Sequence, residues 1–290
     1  MGQSGRKMGN DGSDFRTMID SHVHFWNFDP VRDSWITPEM NAIRNDFTPE
    51  DFINASSNAQ ITGCVAVQAD QTEDQNHFLL SLAKKNQVIK GIVGWVEILN
   101  PNLEERLTYW KNFNLIKGWR HILQAESEAF MLQPSFIEGL QMLKKYNYTY
   151  DLLCYHNQMP TILKLVDQLP NQQLVLDHCG KPDVKSRDLK KWEEHIQILS
   201  QNENVHCKIS GLLTEADWKN WKEIEIFDCF DVIFKHFGTD RVLYGSDWPV
   251  VLISRPYKDW FNLVRKYCSQ FSEHEQQKIF SGNAISFYKL

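Results

Sequence analysis

The sequence predicts an α/β fold of the (β/α)8 or TIM-barrel type, and three observations lead there. Eight short apolar runs rich in Val, Ile, Leu and aromatic residues are spread along the 290 residues. Helical patterns fill the intervals between them, the alternation of a parallel sheet wound by helices. No Pro/Gly-rich linker and no internal repeat divides the chain, so residues 18–290 are expected to form one barrel. A doubly wound open sheet is the alternative, weakened because no run is followed by a G-x-G-x-x-G phosphate loop.

The runs justify themselves in order. MIDSHVH (18–24) comes first and carries two histidines one residue apart. ITGCVAVQA (61–69) and VIKGIVGWVEI (88–98) are almost continuously apolar, as strands buried on both faces must be. IKGWRHIL (116–123), TYDLLCYH (149–156) and QLVLDHCG (173–180) follow, and VHCKISGL (205–212) and RVLYGSDW (241–248) complete the set. Among the helical intervals, TPEDFINASSNAQ opens with a capping box at Thr48 and Asp51. Residues 72–86 are acidic at the start, basic at the end and apolar along one face. LEERLTYWKNF, PSFIEGLQMLKKY, MPTILKLVDQL and DLKKWEEHIQILS continue the alternation, then one long helical stretch over 215–237. Helices over 258–269 and 273–288 close the chain.

At 42% hydrophobic and 23% charged, the composition is that of a globular protein with a large core. A net charge of -6 without a basic stripe argues against nucleic acid or an anionic membrane as partner. No stretch approaches the ~18 apolar residues of a membrane-spanning helix. Residues 1–17 are polar and Gly-rich, lack the apolar segment of a secretion signal, and read as a disordered leader or a cloning remnant. Cys64, Cys154, Cys179, Cys207, Cys229 and Cys268 are scattered with no C-x-x-C pair, so free thiols in a cytoplasmic protein are expected.

Chemistry in a barrel of this kind sits at the C-terminal ends of the strands. His22 and His24 share one face of the first strand, because side chains at i and i+2 point the same way. Arg120 and His121 end the fourth, His156 closes the fifth, Asp177 and His178 the sixth, and Asp247 the eighth. Neutral imidazoles with a carboxylate form a usual ligand set for a catalytic divalent metal. A carboxylate beside the bound water can act as its general base.

With these residues in place, the chain resembles the amidohydrolase superfamily. That superfamily carries His-x-His on strand one, histidines on strands five and six and an aspartate on strand eight. His22, His24, His178 and Asp247 match by position, and His156 lies near the strand-five place. IDSHVHFW, GWVEI, GWRHILQ, LLCYHNQMP, LDHCGKP and YGSDWPV together resemble its sugar-lactonase branch, the hydrolases of L-fuconolactone, L-rhamnonolactone, pyrone-dicarboxylate or muconolactone. The strand-four bridging lysine or glutamate of two-metal members is missing, since IKGWRHIL ends in Arg120 and His121. The resemblance implies one divalent metal, zinc first, or none.

The reading that follows is hydrolysis of a sugar-acid lactone by water attack on its carbonyl. Asp247 is the expected general base, His178 a ligand or carbonyl donor, and Arg120 an anchor for the oxyanion or a carboxylate. Trp26, Trp95 and Trp248 are expected to line the pocket, and His121, His156, Asn157 and Lys181 to contact substrate hydroxyls. His22, His24, His178 and Asp247 are the metal ligands, with His156 a candidate fifth. An aromatic-catabolic lactonase, a related metal-dependent decarboxylase and, least favoured, a non-catalytic sugar-binding barrel are the alternatives. A homo-oligomer stays open.

Overall fold

The computed structural model describes residues 17–290. Residues 1–16, nearly all of the segment read as a leader, lie outside the described residues. Eight strands form one parallel sheet in the order β1 to β8: β1 Ile19–Val23, β2 Gly63–Val67, β3 Ile89–Gly94, β4 Ile116–Ile122, β5 Thr149–Leu153, β6 Leu174–Leu176, β7 Val205–Ile209 and β8 Val242–Tyr244. Each falls inside a predicted apolar run, and most strand positions are buried because helices cover the outer face and packed side chains the inner one. Closure comes just beyond β8, where Val23 and Trp248 bridge in parallel. The fold is a (β/α)8 barrel.

The helices are α1 Pro49–Ser56, α2 Glu73–Lys85, α3 Leu103–Trp110, α4 Glu128–Met131, α5 Pro134–Lys145, α6 Met159–Asp167, α7 Lys190–Leu199, α8 Leu212–Glu215, α9 Glu223–Phe237, α10 Tyr257–Cys268, α11 Glu273–Gln277 and α12 Asn283–Tyr288. Thr48 and Asp51 form the expected reciprocal cap of α1, and Thr72 caps α2. The long helix expected over 215–237 is two: α8 stops where Ala216 becomes extended, and α9 starts seven residues later. The last predicted helix is also interrupted, by a wide π turn at Lys278–Gly282 between α11 and α12.

The barrel interior has two layers. Val65, Val67, Val93, Val175 and Leu243 form an apolar floor, closed from below by Phe287 and Tyr288 of α12. Above it the filling is charged: Lys208 of β7 reaches Asp151 of β5, and Arg120 of β4 reaches Asp177 just after β6. Contacts between strands that are not neighbours run through the lumen. All six cysteines are free and buried, and burial pushes the Cys154 and Cys229 thiols up to about 12. No helix among the described residues is long and apolar enough to cross a membrane.

Strands β4 and β5 approach so closely at Gly118 that a Cβ there would fall on Thr149 Oγ1 and 3.0 Å from the Thr149 carbonyl oxygen. Gly118→Ala is therefore expected to cost about 1–3 kcal/mol through overpacking against fixed backbone. Urea denaturation measures it, and a change below about 0.5 kcal/mol would mean the strands can separate there.

Candidate active site

The site is assembled where β1 meets the segment after β8. Asp247 N–H donates to the His22 carbonyl at 2.9 Å, and His24 N–H to the Trp248 carbonyl at 2.7 Å. Asp247 adopts φ +59°, in the left-handed region. Residues 178–181 do the same, with φ of 54°, 56°, 69° and 48°. A non-glycine residue in that region costs roughly 1–3 kcal/mol and persists only where its surroundings enforce it. Here the two strands end in sharp turns that aim His178 and Asp247 at the same spot.

His24 Nδ1–H donates to the Val67 carbonyl at 2.9 Å, which leaves Nε2 as a bare acceptor. His22 Nδ1 lies 3.4 Å from Asp177 Oδ1 and 3.2 Å from Lys208 Nζ, and its Nε2 faces His24 and Asp247. The two Nε2 atoms are 3.1 Å apart. Asp247 Oδ1 completes the cluster at 3.4 Å from His24 Nε2, 3.8 Å from His22 Nε2 and 4.0 Å from His178 Nε2. Lone pairs converging this closely need a cation or a proton between them, so the donor set fits one divalent metal ion. His178 Nδ1 pairs with Ser210 Oγ at 2.8 Å, and a hydroxyl can serve either tautomer of that ring.

Protonation states agree with this use. Burial lowers His22 far below its usual value and His178 to about 4, outweighing the nearby carboxylates. Both are neutral near pH 7. Burial would raise Asp247, but His178, a hydrogen bond with His24 and the His22 ring hold it well below the ordinary carboxylate range. Neutral imidazoles and an ionised carboxylate are the forms that bind metal.

Above the cluster opens a cavity of about 630 Å³. His24, Arg120, His178 and Asp247 are at its polar end, while Trp26, Trp35, Met40, Tyr155, Trp218 and Ile253 supply apolar wall. Of its lysine and arginine residues, Lys181 pairs with Glu215 at 3.2 Å and Arg120 with Asp177 at 3.1 Å. Arg120 Nη2 also donates to the Gln68 carbonyl at 2.6 Å and to its side chain at 3.0 Å. The expected anchor is thus already held by the protein, and its Nη1 lies 3.3 Å from His22 Nε2.

Trp26 and Lys181 line the cavity, whereas Trp248, Trp95, His121, His156 and Asn157 do not. Trp248 packs among Phe25, Phe47 and Phe52. Trp95 follows β3, and its backbone N–H donates to Asn76 Oδ1. His121 alternates with Arg120 and so faces outward, stacked on Phe130 and bonded to Glu126. His156 and Asn157 fall in a turn past the end of β5, with His156 Nδ1 on the Lys181 carbonyl, so His156 is also outside the ligand cluster. The sequence reading missed Trp35, Met40, Tyr155, Trp218 and Glu215, which come from the loops and short helical turns that follow the strands and carry no periodic signal. It also missed Lys208 and Asp151, although a charge inside an apolar strand run is a signal that could have found each of them.

A profile of the family described as Amidohydrolase matches residues 19–290. An L-fucono-1,5-lactonase of Burkholderia multivorans is 35% identical over 285 residues, spanning 94% of this chain and 96% of that protein. A protein of the same name from Burkholderia ambifaria is 26% identical, spanning 94% and 95%. A crystal structure of an amidohydrolase from Burkholderia multivorans with bound Zn has a TM-score of 0.91 at 33% identity, covering 94% of this chain and 99% of that one. Barrel and cluster define a rim-type active site of the (β/α)8 class. The chain belongs to the amidohydrolase family.

Ser210→Ala removes the partner of His178 Nδ1 and frees the ring to turn. Loss of such a supporting hydrogen bond typically costs about 10- to 100-fold in metal affinity or activity. A Zn²⁺ competition titration should show a drop in that range, and affinity within twofold of wild type would mean the backbone alone orients His178.

Proposed function

We propose that the protein is a lactonase that opens the ring of a neutral sugar-acid lactone by water attack on its carbonyl, with Asp247 as general base. The observation that carries this reading is the charge state of the cavity. An ionised carboxylate sits beside the neutral rings of His22 and His178, while both larger cations of the cavity already have anionic partners. A pyrone dicarboxylate would bring two negative charges and meet no unpaired cation among the lining residues. A neutral polyhydroxy ring needs none. Its apolar faces suit Trp26 and Trp218, and its hydroxyls suit the Lys181–Glu215 pair. Similarity to the L-fucono-1,5-lactonase of Burkholderia multivorans supports the same class and makes L-fuconolactone, with L-rhamnonolactone beside it, the first substrate to try.

His22, His24, His178 and Asp247 would hold the metal, for which the Zn-bound structure of the Burkholderia multivorans amidohydrolase makes zinc our choice. Such an ion, when bound, polarises the carbonyl and acidifies water. Asp247, held low, is a weak base, so it removes a proton only from water whose acidity has been raised. It then returns the proton to the ring oxygen as the carbonyl–oxygen ring bond breaks. Val67 and Ser210 keep the His24 and His178 rings fixed through that step. Arg120 contributes positive potential at the polar end of the cavity, not a free hydrogen-bonding fork.

Asp247→Asn keeps the shape and removes the proton acceptor, so kcat should fall at least about 10²-fold with folding intact. A pH-indicator screen over aldonolactones and pyrone dicarboxylate, with and without chelator, reads both substrate class and metal need. Turnover of the dianion above every aldonolactone would end the neutral-ring reading. An asparagine variant within a few-fold of wild type would remove Asp247 from the mechanism.

A further inference from the structure

Two candidate metal groups share His22. One, with His24 and Asp247, opens to the cavity. The other joins His22 to Asp177 and His178 and lies wholly buried. On donors alone this second group looks like a seat for another ion, yet it is already filled by the protein. Lys208 Nζ sits 3.0 Å from Asp177 Oδ1, 3.2 Å from His22 Nδ1 and 2.5 Å from Asp151 Oδ2, fully excluded from solvent. Arg120 Nη1 closes the opposite side of Asp177 at 3.1 Å.

We propose that Lys208 is a built-in cation that occupies the place of a second metal ion and limits this barrel to one. Two arguments converge. Spatially, the ammonium lies against Asp177 Oδ1 and His22 Nδ1, two of the three residues of that group, and against Asp151 Oδ2, at hydrogen-bonding instead of coordination distance. Electrostatically, Lys208 and Arg120 match Asp151 and Asp177, so Asp247 is the carboxylate of this cluster left to be answered by an ion facing the cavity. A second divalent ion beside Lys208 would meet repulsion with no carboxylate left to screen it. An ordinary buried salt bridge would give the same hydrogen bonds but would have no bearing on metal count. That difference is what can be measured.

The inference rests on the one-metal reading of the site, but its test needs no substrate. Purified wild type and Lys208→Gln are stripped with chelator, loaded with Zn²⁺, dialysed and counted by plasma mass spectrometry, with melting temperatures taken in chelator and in Zn²⁺. Lys208→Gln should hold one equivalent more than wild type, and Zn²⁺ should raise its melting temperature by more than it raises that of wild type. Lys208→Arg should hold the wild-type number. An unchanged count in Lys208→Gln overturns the proposal while a wild type holding one ion keeps the site reading. A wild type that holds none overturns the site reading and the proposal with it. Should Lys208→Gln fail to fold, Lys208→Gln with Asp151→Asn removes one charge of each sign and is counted the same way. Gain of an equivalent there supports the proposal, and an unchanged count overturns it.

Discussion

The seam between β1 and the residues after β8 is the constraint from which the site follows. A single carboxylate, Asp20, holds both sides: its Oδ1 accepts from His22 N–H at 3.1 Å and Ser246 N–H at 2.9 Å, and its Oδ2 from Tyr257 Oη at 2.9 Å. Burial raises this carboxyl to about 6, against the pull of Ser246, His22 and Tyr257. The backbone bonds above it then interleave His22, Asp247, Trp248 and His24. Closing the barrel and bringing Asp247 against two histidines are therefore one event. The strained backbone of Asp247 persists because Ser246 fixes the Trp248 N–H and aromatic rings wedge the Trp248 side chain.

Below the seam, the charged layer is held by mutual pairing. Moving one carboxylate into a protein interior costs several kcal/mol even after relaxation, so each charge needs its partners at close range. Asp151 has Lys208 and the Tyr288 hydroxyl, while Asp177 has Lys208, Arg120 and the His22 ring. Asp177 stays ionised despite burial because of that surrounding positive charge. Tyr288 belongs to the last helix, so the C-terminal segment that plugs the barrel floor is hydrogen-bonded into the same network as the site.

The eight strands were legible because burial on both faces forces an apolar run, and nothing else in the chain imitates eight of them. His22, His24, His178 and Asp247 were legible because strand ends in this fold converge on one rim. The predicted runs overshot at β6 and β8 by several residues, since left-handed turns at His178 and Asp247 leave no mark that distinguishes DHCGK or SDWP from strand continuation. Parity decided the errors of detail. Of the adjacent Arg120 and His121 only one can face the lumen, and Trp248 is one residue past Asp247. The cavity wall was illegible because Trp35 and Trp218 sit in irregular segments whose path depends on the whole fold.

The paired charges of the cavity also shape how a ligand arrives. Lys181 is spent on Glu215 and Arg120 on Asp177, so the mouth presents rings, among them the 44% exposed Trp35 and 39% exposed Tyr155, instead of a field. An entrance of that kind gives no long-range steering. Encounter is then governed by diffusion and by desolvation of a sugar ring against aromatic faces, and capture should proceed alike in dilute buffer and in concentrated salt. Selectivity at this barrel is exercised after contact, by fit, and not by attraction from a distance.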